Sequence, residues 1–391
     1  MKTKSASDAL LHALQDRFLL RFGVVANGYV SVPGRLKLLG YDLHPHHPNL
    51  GMTIDASLHM VFTSLNEPIY QVLVPGYAFI TLDPRRLDIF PNEYNTPIAL
   101  LKIVLQMTIA SGFPYEKGMK IFVHSEFPAF GNFAYSTSLI IGLLSTFIPT
   151  FFTLPLSSKI AFVHAIEKRI PNYRFQPHDA IMILQPGFHH GYWVNGEPVT
   201  RQLPSSFLKN HLFYTLNLPK KTTVQPLEWM IPSLLHDFFI QEKITDHSMI
   251  DSLWIANHHQ RLMDTYGKKT VDGLLALIDE QKRIIQSIIR YEQEDWLGFS
   301  NGLVEQEQQR IRLLVDSPST LSVLEKRKNH LCALTPDGYW IRSSLNEEDT
   351  YVGWHSKEGY LKVKKMMHRH FPHIKVTFFR LYDKKLKIVK T

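Results

Sequence analysis

Two short stretches, about ninety residues apart, constrain this chain more tightly than its composition does. The first, Ser31-Val-Pro-Gly-Arg-Leu-Lys-Leu-Leu-Gly40, reads as a short strand, a Pro-Gly turn carrying Arg35 and a second apolar strand. A loop rich in His and Pro follows it, and then Gly51-Met-Thr-Ile-Asp55. The second runs from Val123 to Ser138: a strand, a Pro/Gly loop, a Ser/Thr cluster, and then a long apolar helix. A helix opened by such a loop aims backbone N–H groups outward, where they can meet an anion. Pro-Gly-Arg alone marks a turn and nothing more. The order and spacing of the two stretches carry the information.

At 391 residues the chain is long enough for two domains. Hydrophobic residues make up 45% and charged residues 20%, the balance of a packed globular protein and not of a disordered one. The net charge of +8 raises a nucleic-acid or anionic-membrane partner, yet Lys and Arg are spread along the chain. They cluster only near the C-terminus, at Lys362 to Lys365 and Lys384 to Lys390, and a solvated basic face accounts for that clustering. The expectation is therefore no nucleic-acid and no membrane partner. Cys332 is the single cysteine, which excludes an intrachain disulfide and a Cys-based metal site and suits a reducing, cytoplasmic setting. Residues 1–22 alternate Leu with polar residues at helical spacing and read as an amphipathic helix, not as a secretion signal. Leu139 to Leu156 is apolar enough to raise a membrane span. Pro149, Pro155 and the frequent Ser and Thr favour a helix packed on all sides inside a core.

Strands are expected over 56–64, 67–73 and 120–124, and helices over 96–110 and 157–169. The mixture, without a strict repeat, indicates an α+β fold with a mostly antiparallel or mixed sheet. Beyond residue 200 the pattern turns helical, over 249–266, 270–292 and 302–314, with strands again at 338–343 and 375–381. The chain divides on this reading into 1–200, a mixed α/β domain, and 201–391, a largely helical α+β domain.

In this order the two stretches resemble the first and second motifs of the small-molecule kinases that include galactokinase, homoserine kinase and mevalonate kinase, the GHMP kinases. The galactokinase branch reads Gly-Arg-Val-Asn-Leu-Ile-Gly-Glu-His-x-Asp-Tyr, then Pro-Met-Ala-Ile-Asp. Gly34, Arg35, Leu36, Lys37, Leu38, Leu39 and Gly40 follow it, and Met52, Ile54 and Asp55 match downstream. Tyr41, Asp42 and His44 replace the Glu, His and Asp. The resemblance implies a two-domain GHMP-kinase-like architecture, ATP and Mg²⁺ as cofactors, and a sugar or related polyol as substrate. It also implies that Arg35 lies beside the hydroxyl to be phosphorylated, where a guanidinium stabilises developing charge. Read from residue type alone, Arg35 is equally a surface-turn cation. Tyr41, Asp42 and His44 would hydrogen-bond the polyol. His44, His46 and His47 read as an irregular loop in preference to a metal site, having no Cys partner and no helical pair.

The second motif of the family, Gly-Leu-Ser-Ser-Ser-Ala, corresponds here to Gly131, Asn132, Tyr135, Ser136 and Thr137. Asn132 stands where Gly is usual and is suited to a left-handed backbone. Ser136 would face Mg²⁺ and phosphate, with Tyr135 pointing away. The alternative is that Ser136 or Thr137 caps the helix. His178-Asp179-Ala-Ile-Met resembles the segment that carries the catalytic Asp, so Asp179 would accept or orient the acceptor proton. Its other reading is a helix N-cap. The third motif survives as Thr335-Pro-Asp-Gly338, with one Gly. Pro336 removes a backbone donor and Asp337 adds negative charge, both adverse to ATP. These readings support a sugar-type kinase, with a non-catalytic galactokinase-like binding or regulatory protein as the alternative. Neither reading specifies an oligomeric state.

Overall fold

The computed structural model describes residues 6–40, 48–94, 96–113, 116–128, 133–170, 177–194, 197–218, 234–235, 237–244, 251–314, 318–335, 338–342, 349–374, 376–382 and 387–390. The framework is a long antiparallel pair, β1 (Gly28–Leu39) and β2 (Asn49–Ser64), running from Gly28 opposite Phe62 to Leu39 opposite Leu50. Its register shifts between Pro33 and Arg35 and again between Lys37 and Leu39. This corrects the turn expected at Pro33-Gly34: both residues lie inside one continuous strand. Proline has no N–H to give to a ladder, so it settles where pairing is interrupted. Gly34 is required beside it, because a Cβ there would fall 2.8 Å from Phe127 Cε1.

Strand β2 is long enough to change neighbours. Its start pairs with β6 (Phe188–Val194) and its end with β5 (Met119–Ser125), both antiparallel. Between the two, Thr53 fills the gap. Its hydroxyl donates to Met182 O (2.8 Å) and accepts from Gly187 N (3.0 Å), while its amide donates to Gly187 O (2.9 Å). Strand β3 (Tyr70–Leu73) runs parallel to β5, and β4 (Ile80–Leu82), β7 (Glu197–Leu203) and β12 (Lys387–Lys390) pair antiparallel with β3, β6 and β1. The result is the expected mixed sheet, ordered β12-β1-β2-β5-β3-β4, with β6 and β7 continuing from the start of β2.

Alternation along the strands separates two faces. Val30, Val32, Leu58 and Met60 join the main core, whereas Tyr29 and Val61 pack under helix α1 (Ala6–Phe22) with Leu14 and Phe18. The main core holds α2 (Pro97–Ala110), α3 (Tyr135–Phe147), α4 (Leu156–Glu167) and α5 (Pro177–Leu184). Residues 137–146 of α3 are all buried, as the buried-helix reading expects, but the helix ends at Phe147, ahead of Pro149, and does not run on to Leu156. Each buried hydroxyl on it has a partner. Thr137 donates to Glu167, Ser138 to Pro33 O, and Ser145 and Thr146 to the carbonyls four residues back. No helix among the described residues is long and apolar enough to cross a membrane.

A second, all-antiparallel sheet follows, ordered β11-β8-β10-β9 from β8 (His211–Leu218), β9 (Tyr339–Arg342), β10 (Asp349–Ser356) and β11 (Val376–Phe379). Around this sheet the described residues include helices α6 (Ser206–Lys209), α7 (Ser252–Tyr266), α8 (Lys268–Glu292), α9 (Trp296–Leu314), α10 (Pro318–Leu334) and α11 (Tyr360–His370). Phe213, Ile341, Val352 and Trp354 turn toward the main core. Their neighbours Tyr214, Trp340 and Tyr351 turn away, onto Leu331 of α10 and Val363 and Met367 of α11.

Replacing Thr53 by the isosteric Val strips two partners from buried backbone groups at once. The Thr53→Val chain is expected to lose about 2–3 kcal/mol of stability, measured by urea unfolding. A loss below 0.5 kcal/mol, on the order of a surface substitution, contradicts this account of the strand junction.

Candidate active site

Arg35 lies on β1 opposite Thr53, and its side chain crosses Gly51 of β2. A Cβ at Gly51 would stand 3.2 Å from Arg35 Cδ and 2.8 Å from Met182 Sδ, so the absence of a side chain opens this path. At its end Arg35 Nη2 donates to Asp179 Oδ1 on α5. Arg35 is 2% exposed and Asp179 3%. Asp179 is thus the third residue of α5, engaged by Arg35, and not its N-cap; Arg35 is not a surface-turn cation. A charge-assisted hydrogen bond between two desolvated groups is the one arrangement in which either is tolerated at such depth.

The same register shift receives the start of α3. Arg35 N donates to Phe133 O (3.1 Å) and Ser138 Oγ to Pro33 O (3.1 Å), which staples the helix entrance to β1 on both sides of Gly34. Ala134 occupies the N-cap with φ 54° and ψ 41°, and no side chain caps the helix. The left-handed residue at the entrance is therefore Ala134, and neither Ser136 nor Thr137 is the cap. No side chain caps the start of α3 and its own first turn carries no acid, while the one carboxylate next to it, Glu167, is engaged by the Thr137 hydroxyl; an uncapped helix start of this kind can take an anion. Ser136 is half-buried there. Thr137 is fully buried and directs its hydroxyl to Glu167 Oε1 (2.6 Å). Tyr135 packs edge-on against Phe127, and burial, with Tyr77 nearby, pushes its phenol up to about 12.

His178, next to Asp179, is 1% exposed and held at both ring nitrogens. Nδ1 accepts from Asn49 Nδ2 (2.9 Å) and Nε2 donates to Tyr192 O (3.0 Å). Burial lowers its pKa to about 4; the Tyr192 carbonyl opposes this, and the charges of Lys37, His190 and Arg35 add to it. Gly191 lies flat against this pair, since its Cβ would meet both Asn49 and the imidazole at 2.7 Å. His178 thereby ties α5 to the first residue of β2 and to β6.

Tyr41, Asp42, His44, His46, His47, Gly131 and Asn132 lie outside the described residues, as do Pro336 and Asp337. Gly338 sits between α10 and β9, its N–H on Thr335 O (2.9 Å), while Thr335 accepts from Trp340 Nε1 (2.6 Å). The described residues hold no group of three or more His, Cys, Asp and Glu fit for a metal ion. Mg²⁺, which uses one or two protein oxygens and otherwise phosphate and water, needs no such group. Ser136, and the Glu167 carboxylate behind Thr137, are hard oxygen donors of the type it takes. His178, Asn49, Thr53 and Glu167 were not singled out in the sequence. Lys37 alone had a local signal, being two residues from Arg35 on a strand and so on its face.

A cavity of about 560 Å³ lies between the approach to β4 and the first turns of α2. Tyr77, Phe79, Ile80, Arg86, Ile98 and Lys102 line it. Lys102 is held by Glu93 (2.7 Å) and Asp88 O (2.7 Å). Tyr77, on the cavity wall, acts electrostatically on Tyr135, the first residue of α3.

This arrangement of strands and helices is a known one. The chain superposes on galactokinase of Lactococcus lactis complexed with galactose at a TM-score of 0.74 and 12% identity, covering 98% of this chain and 100% of that one. It is similar to the mevalonate kinase of Methanococcus jannaschii at a TM-score of 0.63 and 14% identity, over 90% and 98% of the two chains. A putative homoserine kinase of Listeria monocytogenes gives 0.56 and 8%, over 93% and 100%. No protein-family model and no curated protein matches the chain at the level of sequence. The fold is therefore that of the GHMP kinases, of galactokinase type.

His178 titrates near 6.5 when unfolded and near about 4 in the fold, so the unfolded chain takes up the proton first. Its contribution is complete above pH 6.5 and is lost as pH falls toward 4, roughly 2 kcal/mol by pH 4.5. Urea unfolding at pH 7 and pH 4.5 is expected to show a smaller acid loss for His178→Gln than for the unaltered chain. Equal losses remove His178 as the source.

Proposed function

We propose that this protein is an ATP-dependent kinase that transfers the γ-phosphoryl group to a hydroxyl of a sugar or related polyol. The observation that carries this reading is the buried Arg35–Asp179 pair set against the uncapped start of α3. Phosphoryl transfer asks for little covalent chemistry from a protein; it asks for positioning and for charge stabilisation. Solved structures of the same fold include a galactokinase with galactose and mevalonate kinases, which supports a small-molecule acceptor.

In this reading the aromatic cavity by Tyr77 and Phe79 takes the nucleotide base, and the α3 N–H groups take its phosphates. Asp179 receives the proton of the acceptor hydroxyl as that oxygen bonds to the γ-phosphorus and the bond to the β-phosphate oxygen breaks. Arg35 holds Asp179 in place through Oδ1 and stabilises negative charge on the transferring group. Ser136 and Glu167 would hold Mg²⁺, which neutralises phosphate charge when bound. Tyr41, Asp42 and His44 are assigned to the acceptor. Gly131, Asn132, Thr137 and Gly338 are assigned to the nucleotide, Thr137 through its backbone N–H. The proposed setting is the cytoplasm.

The test pairs calorimetric titration of a non-hydrolysable ATP analogue with Mg²⁺ against turnover on a sugar and polyol panel. The unaltered chain is expected to bind the analogue and to turn over. Asp179→Asn is expected to keep binding and to lose about 10²–10⁴ in kcat. Binding without turnover on any acceptor favours the non-catalytic reading. No binding at all ends the ATP-dependent kinase reading and leaves the fold to a non-catalytic use.

A further inference from the structure

The charge of this chain is concentrated at one end. Residues 360–391 carry eight lysines and two arginines against one acid, Asp383, a balance of +9. The whole chain stands at +8, which leaves the first 359 residues at −1. A mixed-sign solvated face does not produce that distribution.

Helix α11 brings four of these cations together: Lys362, Lys364, Lys365 and Arg369, all exposed. At 3.6 residues per turn they span an arc of about 160° and a stripe about 10 Å long. The opposite side of the helix is committed to the second core, with Val363 3% and Met367 1% exposed beside Trp340 and Tyr351. Among the described residues none of the four cations forms an ion pair. Lys364 lies over the ring of Tyr360, at 5.7 Å.

The helix carries these charges against its own interest. Lys365 and Arg369 form a like-charge i, i+4 pair, and Lys362 sits in the first turn, where the helix dipole disfavours a cation. Gly359 supplies no side-chain cap to offset this. Arg369, in the last turn, is favoured by the helix dipole, but the Lys365–Arg369 repulsion and Lys362 in the first turn are local costs, and a local cost of this kind points to a use for the feature.

We infer that the exposed face of α11 is a docking surface for the phosphate backbone of a nucleic acid. Two polyanions meet a basic helix, a nucleic acid and an anionic bilayer, and the packing decides between them. A surface helix that binds bilayers does so by burying an apolar face in the headgroup region. Here that face is already inside the protein, and Leu361 is the only large apolar side chain left outward on the helix. What remains is a stripe of four point charges, able to neutralise up to four phosphates of one strand. This departs from the expectation drawn from the sequence, because cation spacing alone does not show that the apolar side is already used. The inference is independent of the kinase reading.

The experiment measures anisotropy of a labelled twenty-nucleotide single-stranded RNA with the full-length protein, across a salt series. Four neutralised phosphates imply a log–log salt slope near about −2.8, roughly a fifty-fold loss of affinity from about 50 to about 200 mM salt. The quadruple variant Lys362→Gln, Lys364→Gln, Lys365→Gln, Arg369→Gln is expected to bind at least ten-fold more weakly at about 50 mM salt and to flatten the slope. The double variant Lys364→Gln, Lys365→Gln should fall between, which keeps the test decisive if the quadruple variant folds poorly. A control replacing the exposed Lys209, Lys268, Lys269 and Lys282 by Gln should retain the native slope. No binding at about 50 mM salt, binding unaffected by the α11 variants, or binding to phosphatidylserine vesicles but not to RNA would each overturn the assignment.

Discussion

A guanidinium that is 2% exposed cannot be left without a partner, and much of this structure is arranged around giving Arg35 one. The partner, Asp179, is 144 residues away in sequence, so the chain must bring α5 across the β1–β2 pair. Three features let it do so. Gly51 leaves the space through which the side chain passes, Thr53 ties the end of α5 and Gly187 to β2, and the shift at Pro33 sets Arg35 in register. The same shift exposes the Pro33 carbonyl and the Arg35 amide on which α3 is docked. One buried ion pair and one irregularity in a strand therefore place a cation, a carboxylate and a helix N-terminus together.

Several polar groups around this point serve more than one partner or are committed to a distant one, which makes the region stiff. The Thr53 hydroxyl serves two backbone groups, His178 uses both ring nitrogens, and Thr137 occupies Glu167. Removing one member strands another at a depth where water does not replace it, and the cost of that exceeds the net value of the bond. Such a network suits a site whose groups must hold position while charge develops on a bound molecule.

Charge is distributed on a different plan. The first 359 residues are close to neutral, and the cations of the site are enclosed with their partners. The excess lies at the C-terminal end, and four of its cations stand on α11, on the far side of the second sheet from the main core. Two anion-seeking features thus coexist in one fold, an internal one built from paired groups and an external one built from unpaired lysines.

Read alone, the amino-acid sequence specified a mixed sheet with a buried apolar helix, because alternation and the lack of Asp, Glu, Lys, Arg and His over 127–158 are local properties. It also marked Arg35, Ser136 and Asp179, since each belongs to a stretch whose order resembles a known set of motifs. It misread Pro33-Gly34 as a turn, because Pro-Gly is compatible with both a turn and an interrupted strand; only the pairing with β2 distinguishes them. Asp179 and Ser136 were equally compatible with helix caps. Their caps were excluded by contacts with β1 and by the left-handed Ala134, and neither can be seen from neighbouring residues. His178, Asn49 and Glu167 had no local signal at all, as each acts through a partner at least fourteen residues away. Local pattern decides which residues are apolar, turn-forming or charged. Which of the charged ones are buried and paired, and which face water unpaired, is decided only when distant segments are packed together.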